Sequence, residues 1–291
     1  MGQALCVKVG ERVHWELDAV RLYKTFIFAK HHTIMSSHTA SFWKDRFKAS
    51  GIHLGLSLTM ALLAALLVFG LWYPYPYRDI SGGRELFFLV VTVDVILGPL
   101  ITLAVFNRNK PWSELRRDLG IVVLIQLAAL GYGLWTVFVA RPVHMVFEYD
   151  SFRVVHAIDV PPELLAQTPP DVSALPLTGP TLLALRPFHN DREKMDATIA
   201  ALQGVSLSAR PDLWQSYGTA VPDILRVAKP VTQLKFRFPD QAAEIDRVLV
   251  DAGRTAQATV YLPLAGRKSF WTVFLDPVTA QVVTTMPLDS F

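Results

Sequence analysis

A single cysteine, Cys6, stands in the whole chain. That excludes an intrachain disulfide and a thiolate-rich metal site. Charge is scarce as well: Asp, Glu, Lys and Arg make up 18% of the 291 residues, against about 25% in a typical soluble domain. The scarcity is uneven. Residues 1–140 hold 14 basic and 9 acidic residues, and residues 141–291 hold 14 and 16. The basic excess therefore belongs to the apolar half and gathers near the ends of apolar runs, a membrane-topology pattern. No long Lys/Arg stripe exists to track phosphates, so the pI near 9.0 does not imply a nucleic-acid partner. Catalytic signatures are missing too. There is no GxSxG elbow, HExxH pair, P-loop or dinucleotide fingerprint. His144, His156 and His189 lack ligand spacing, and read as ordinary sheet or surface residues. Ser206, Ser208 and Ser216 have no identifiable base. Neither catalysis nor a metal or other cofactor is expected.

What the chain has is apolar runs. Three stand out, at about Ile52–Trp72, Leu86–Phe106 and Leu119–Val139. Each approaches the ~20 residues that cross a ~30 Å hydrocarbon layer at 1.5 Å per residue. Three in succession with short polar breaks outweigh the competing reading of buried core helices. Residues 1–35 contain no run of signal-sequence length. Weak periodicity in Leu17, Val20, Leu22, Tyr23, Phe26 and Ile27 suits a short amphipathic helix. Residues 1–42 are expected to be a cytoplasmic lead, with Met35 an alternative start to Met1.

The breaks set an orientation. Lys44, Arg46 and Lys48 precede the first span, and Arg108, Lys110, Arg116 and Arg117 crowd the loop between the second and third. Loop 73–85 holds only Arg78 and Arg84, beside Asp79 and Glu85. Short Lys/Arg-rich loops stay in the cytoplasm. The N-terminus is therefore expected inside, and the chain after Val139 outside, which is the periplasm in a Gram-negative inner membrane. Arg141 is a minor exception. Trp72, Tyr73, Tyr75 and Tyr77 then fall at the outer interface, where amphipathic rings are favoured. Pro74, Pro76, Gly82 and Gly83 make loop 73–85 a stiff hairpin, either an interface anchor or a docking edge for a partner.

Asp94 lies near the middle of the second span, where a carboxylate costs about 2.5–3.5 kcal/mol on insertion scales. Pro99 removes a backbone donor and frees the carbonyl one turn earlier, so this span is expected to bend there. Gln126 is the best-placed partner for Asp94, ahead of His53, Ser57 and Thr59, with Gly131 and Gly133 allowing close helix packing. Three roles stay open for Asp94: a node holding the helices together, a contact for a partner helix, and a proton relay.

Residues 141–291 read as one α+β domain with an antiparallel sheet. Val143–Phe147 and Phe152–Ile158 suggest a hairpin. A loose stretch, Pro161–Pro187, carries seven prolines among several leucines. Asn190 and Glu193 have capping-box spacing ahead of a stripe of Met195, Ile199 and Leu202, and Gly204 stops the run. Gln233–Phe238 reads as a short strand, followed by a helix from about Asp240 to Val250 with Ala242, Ile245, Val248 and Leu249 inward. Ala258–Leu262, Ser269–Leu275 and Ala280–Thr285 are the closing strands.

Several of these stretches carry a resemblance: the entry Arg46–Leu54, then WYPYPYRDISGGREL (72–86), VDVILGPLITLAVFN (93–107), residues 116–143 and VFEYDSFRVV (146–155). Together they resemble the type IV pilin accessory proteins of Gram-negative bacteria, the TfpX/TfpZ-like inner-membrane proteins, most clearly over residues 43–156. The resemblance implies a non-catalytic inner-membrane protein that assists the stability or assembly of a type IV pilin subunit. Its partners would be that pilin, the pilus assembly platform and the bilayer. A membrane-anchored enzyme modifying pilin or envelope components, and a sensor or transport component, remain the alternatives. The residues expected to contact a partner or pack helices are Asp94, Pro99, Gln126, Trp72, Tyr73, Tyr75 and Tyr77.

Overall fold

A computed structural model describes residues 43–107 and 110–291. The lead before residue 43, with its amphipathic periodicity and alternative start, lies outside them, as does Arg108. Three helices are long and apolar enough to cross a membrane: α1 (Trp43–Trp72), α2 (Gly83–Val105) and α3 (Trp112–Val139). Two begin well before the apolar runs read from the sequence, because helical backbone continues through Lys44–Lys48 and through Glu114–Asp118. Charged residues are good helix formers once out of the hydrocarbon. The last turn of α1, Val68–Trp72, widens into a π-helix. Helix α2 is continuous through Pro99.

The chain forms two compact units. One comprises residues 1–58 and 95–126, of which the described part is helical apart from the turn between α2 and α3. The other comprises residues 59–94 and 127–291. This second unit therefore holds the C-terminal α+β domain together with the adjoining ends of all three helices and loop 73–85.

The domain is built on one open sheet. Its strands are β1 (Pro142–Glu148), β2 (Ser151–His156), β3 (Thr181–Leu185), β4 (Trp214–Ser216), β5 (Lys229–Pro230), β6 (Val260–Ala265), β7 (Phe270–Leu275) and β8 (Val282–Met286). The order is β4-β3-β1-β2-β6-β7-β8, with β5 also pairing β6. Antiparallel pairing dominates, as the sequence suggests, but β1 runs parallel to β3, and β2 parallel to β6. The first parallel junction arises because the proline-rich stretch supplies a strand, β3, from Leu182, Leu183 and Leu185. Strand β1 is buried along nearly all its length. Met145 and Phe147 face one cluster, with Val154, Ile224, Leu262 and Trp271. Val143 and Val146 face another, with Leu183, Ala197 and Trp214. A central strand covered on both faces reads as an apolar run without alternation.

Local chemistry explains the remaining elements. Tyr149 takes φ 61° in the β1–β2 turn. Helix α4 (Asp191–Leu202) is capped by Asn190, whose Oδ1 accepts from Glu193 N–H at 2.9 Å. Gly204 after it takes φ +97°, the left-handed conformation that ends helices. The stripe read as its apolar face points outward, however: Met195, Ile199 and Leu202 are exposed, and Ala197 is the buried residue. A small residue lets the helix lie close to the sheet, which a larger stripe would hold away.

One element differs from its expected class. Residues 233–238 are not a strand. Helix α6 (Val231–Arg237) occupies most of that stretch, between the short helix α5 (Val221–Val227) and α7 (Ala242–Asp251). The alternation of Leu234, Phe236 and Phe238 imitates a strand. The residues that α6 buries are Val231 and Leu234, a helical spacing, while Phe236 is 89% exposed. Helix α7 buries Ile245 and Leu249, as its periodicity predicts.

Leu234→Ala is therefore expected to destabilise the domain by about 2–5 kcal/mol, as core truncations do. Phe236→Ala should stay within about 0.5 kcal/mol. Chemical unfolding of the detergent-solubilised chain checks both, and the opposite ranking would restore the strand reading.

Candidate functional site

Loop 73–85 was read as an interface hairpin, and the structure packs it against the domain, with Tyr73, Ile80 and Gly83 buried. Pro74 and Pro76 restrict the backbone on either side of Tyr75, and one helical turn follows at Tyr77–Ile80. That turn delivers Ile80 into the cluster of Met145, Phe147, Leu262, Leu264 and Trp271, where it is 0% exposed. Space for it exists because residue 266 is glycine: a Cβ there would overlap the Ile80 side chain. Ile80 O also accepts from Lys268 N–H at 3.0 Å, so the loop bonds to the β6–β7 turn through backbone as well as packing. Ion pairs of Arg84 with Asp79 (3.1 Å) and of Lys268 with Glu85 flank the joint.

The four aromatic residues of the hairpin separate into different roles. Tyr73 is 1% exposed, donates to Val137 O at 3.2 Å, and lies where a Cβ on Gly83 would otherwise be. Burial pushes its phenol well above the ordinary range. Tyr77 donates to Met145 Sδ at 3.7 Å, and burial raises its phenol to about 12. Trp72 is half-buried, with its ring 5.0 Å from that of Phe138. Only Tyr75 among the four is largely exposed, at 58%, with Arg78 over its ring at 5.5 Å and Trp271 edge-on at 6.4 Å.

A second joint lies at the end of α3. Arg141 looks like an exception to the loop-charge pattern, yet its side chain is buried and donates to three backbone carbonyls. These are Phe138 O at 2.9 Å, Pro176 O at 3.2 Å and Leu175 O at 3.3 Å. Its guanidinium lies 4.0 Å from the centre of the Phe138 ring. The proline-rich stretch is thereby tied to the end of α3, and Gly179 N–H bonds Leu71 O at 2.7 Å, which ties it to the end of α1. No sequence signal marks Arg141 for this work, because donors to distant carbonyls leave no spacing.

The membrane-type helices carry polar contacts of their own. In the unit of residues 43–58 and 95–126, Ser50 Oγ donates to Pro99 O at 2.9 Å, and His53 Nδ1 lies 2.5 Å from Thr102 Oγ1. Gln126 occupies the space that a Cβ on Gly98 would need, with His53 close by. Pro99, Gln126 and His53 thus converge on the glycine–proline step of α2. Asp94 is half-buried on the same helix, in the other unit. Lys110 pairs with Asp118 at 2.7 Å, beside the turn between α2 and α3. Among the described residues, no group of three or more His, Cys, Asp or Glu could hold a metal ion.

His144 and His156 are both buried in the sheet. His144 is satisfied on both sides, with Nδ1 2.7 Å from Thr181 Oγ1 and Nε2 3.0 Å from Ala174 O. The carbonyl can only accept, so Nε2 carries the proton and the Thr181 hydroxyl donates to Nδ1. Burial lowers its pKa from 6.5 to about 4.

Two expectations follow. Ile80→Ala should destabilise the domain by about 2–5 kcal/mol in chemical unfolding, although residue 80 lies in a loop between two membrane-type helices. His144 makes the fold pH-sensitive with a fixed sign. The unfolded chain binds its proton first as pH falls, so the contribution is complete above pH 6.5 and lost progressively down to about 4. Up to about 3 kcal/mol is at stake. Unfolding curves of wild type and His144→Gln across that window should converge as pH falls; parallel curves would contradict the assignment.

The chain is similar to known proteins along most of its length. A family model described as "Fimbrial assembly protein FimB" matches residues 41–82. A fimbrial assembly protein of serogroup I from Dichelobacter nodosus is 36% identical over 254 residues, which cover 85% of this chain and 98% of the relative. The serogroup E1 protein of the same organism matches equally, 36% over 254 residues with the same coverage. That of serogroups C1 and C2 is 46% identical over 121 residues, 40% of this chain and 92% of the relative. No solved structure matches.

Proposed function

The chain belongs to the family of fimbrial assembly proteins, and from that premise we propose that it is an inner-membrane accessory protein for a type IV pilin, of the TfpX/TfpZ-like kind and matched to one particular pilin. The observation that carries this reading is the near-complete coverage of relatives named for fimbrial assembly. Those relatives are named by different serogroups, which supports an assembly partner that changes with the pilus.

The layout suits the task. A pilin subunit before assembly has a hydrophobic helix in the membrane and a globular head outside it. Three spanning helices and a domain joined to them at loop 73–85 and Arg141 can meet both parts of such a subunit. The loop charges favour the C-terminal domain in the periplasm and the N-terminus in the cytoplasm. Within the membrane, Asp94 is the residue to orient a polar or charged feature of the pilin helix, while Pro99 and Gln126 serve helix packing in the other unit. Outside it, Tyr75 is the exposed aromatic of the hairpin and the one able to touch a partner. Tyr73, Tyr77 and Trp72 hold the hairpin in place. The relatives are named for assembly, and the proposed action is physical: holding, protecting or presenting the subunit.

Replacing Asp94 with Asn and with Leu tests the membrane half. The variants should accumulate to wild-type levels, while cross-linking to the type IV pilin of the same cell and the number of surface pili fall about tenfold or more. Normal piliation with both variants would remove Asp94 from the mechanism. Absence of any cross-link between the wild-type chain and that pilin would remove the proposal itself.

A further inference from the structure

Apolar side chains stand exposed on the side of the domain where the helices meet it, and the topology fixes which side that is. Helix α3 ends at Val139, and β1 starts at Pro142. Strand β1 runs away from the helix, and β2 runs back until His156 pairs with Pro142. Strand β6 is parallel to β2, so the turn at residues 266–269 emerges on that same side.

Hydrogen bonds tie three segments there to the helix ends. Ala157 N–H donates to Arg141 O at 2.9 Å, two residues past α3. Pro176 O accepts from the Arg141 side chain, and Gly179 N–H donates to Leu71 O, in the last turn of α1. Lys268 N–H donates to Ile80 O, and its ammonium pairs with Glu85 in the first turn of α2. Each segment carries an exposed apolar residue: Ile158 beside Ala157, Leu177 between Pro176 and Gly179, and Phe270 two residues after Lys268. Phe291 packs edge-on against Phe270, with ring centres 5.2 Å apart. Exposure of the four runs from 50% at Phe291 to 63% at Leu177.

Scattered exposed apolar residues are ordinary on a protein surface. What distinguishes these is their level. Two residues of chain reach at most about 7 Å, and the headgroup layer beyond the hydrocarbon is itself about 5–8 Å thick. The three attachment points therefore fall within that layer. Val278, exposed as well, lies in the turn at the other end of β7, about 17 Å along the strand at ~3.4 Å per residue.

We propose that the helix-side rim of the domain is a lipid-contact surface, with Ile158, Leu177, Phe270 and Phe291 seated in the headgroup layer of the leaflet it faces. The domain then stands on the bilayer rather than above it. Arg267 and Lys268 in the same rim are paired with Asp159 and Glu85, so apolar contact rather than charge attraction holds it there, and a neutral lipid suffices. The contact does not depend on the assembly role.

Spin labels on the full chain in phosphatidylcholine bilayers test this. Cys6→Ser removes the only native thiol, after which Ile158→Cys, Leu177→Cys, Phe270→Cys and Val278→Cys each place one label. All four positions are exposed, so the core is left intact, and each is read by itself. Collisions with molecular oxygen, which concentrates in lipid, are compared with those of a water-soluble nickel chelate. Labels at 158, 177 and 270 should show a nickel-to-oxygen ratio at least about threefold below that at 278, as for side chains sunk into the interface. Ratios equal to that at 278 would place the rim in open water and overturn the proposal. Shielding of the three labels from both reagents would show that protein, not lipid, covers the rim, and would overturn it equally.

Discussion

The structure turns on Ile80. It is an apolar side chain in a short loop between two membrane-type helices, and it is buried at the centre of a sheet domain whose first strand begins over sixty residues later. A fully buried isoleucine contributes on the order of 2 kcal/mol by transfer alone. Its backbone carbonyl adds a bond to the β6–β7 turn. This arrangement needs two glycines. Gly266 makes room for Ile80, and Gly83 makes room for the Tyr73 ring that closes the base of the loop. Arg141 works from the third helix, bonding the proline-rich stretch to the end of α3. The ends of the helices that adjoin the domain thus fold with it as one unit rather than as an anchor with a tethered head.

Mechanical continuity of this kind bears on the proposed assembly role. A protein that engages both a helix in the bilayer and a head beyond it gains from holding its two contact regions at a fixed spacing, since ordering a flexible tether would subtract from the binding free energy. The buried tyrosines serve that rigidity, while Tyr75 stays exposed beside them. The polar contacts at the α2 glycine–proline step do comparable work within the helices. There Ser50, His53 and Gln126 provide the hydrogen bonds and close packing that apolar lipid cannot drive.

Much of this was legible in the sequence, and the pattern of success is physical. Long apolar runs, caps and terminal hairpins announce themselves through local periodicity. The three helices, the Asn190 cap, helix α7 and the β6–β7–β8 meander are accordingly of the class that was read, although α1 and α3 begin earlier and β6 ends later than expected. Residues 233–238 were misread because alternating Leu234, Phe236 and Phe238 satisfies a strand pattern, while tertiary burial selected the helical pair Val231 and Leu234. The outward stripe of α4 misled for a similar reason: three large apolar residues outweigh one alanine in any pattern, yet Ala197 faces the core. Strand β3 was hidden among prolines. Contacts of large sequence separation, such as Ile80 with Gly266 or Arg141 with Leu175, leave no local trace. The tyrosines of the hairpin were found as a group, but their division into buried and exposed members required the fold.

Native-state hydrogen exchange on the full chain in detergent tests the continuity of loop and domain most directly, because it reports which amides open together. The Lys268 amide, bonded to Ile80 O, and the amides of residues 77–81 should exchange through the same opening as β6 and β7, with similar protection. Rapid exchange at those positions beneath a fully protected sheet would show that the loop is an appendage, and would contradict the account.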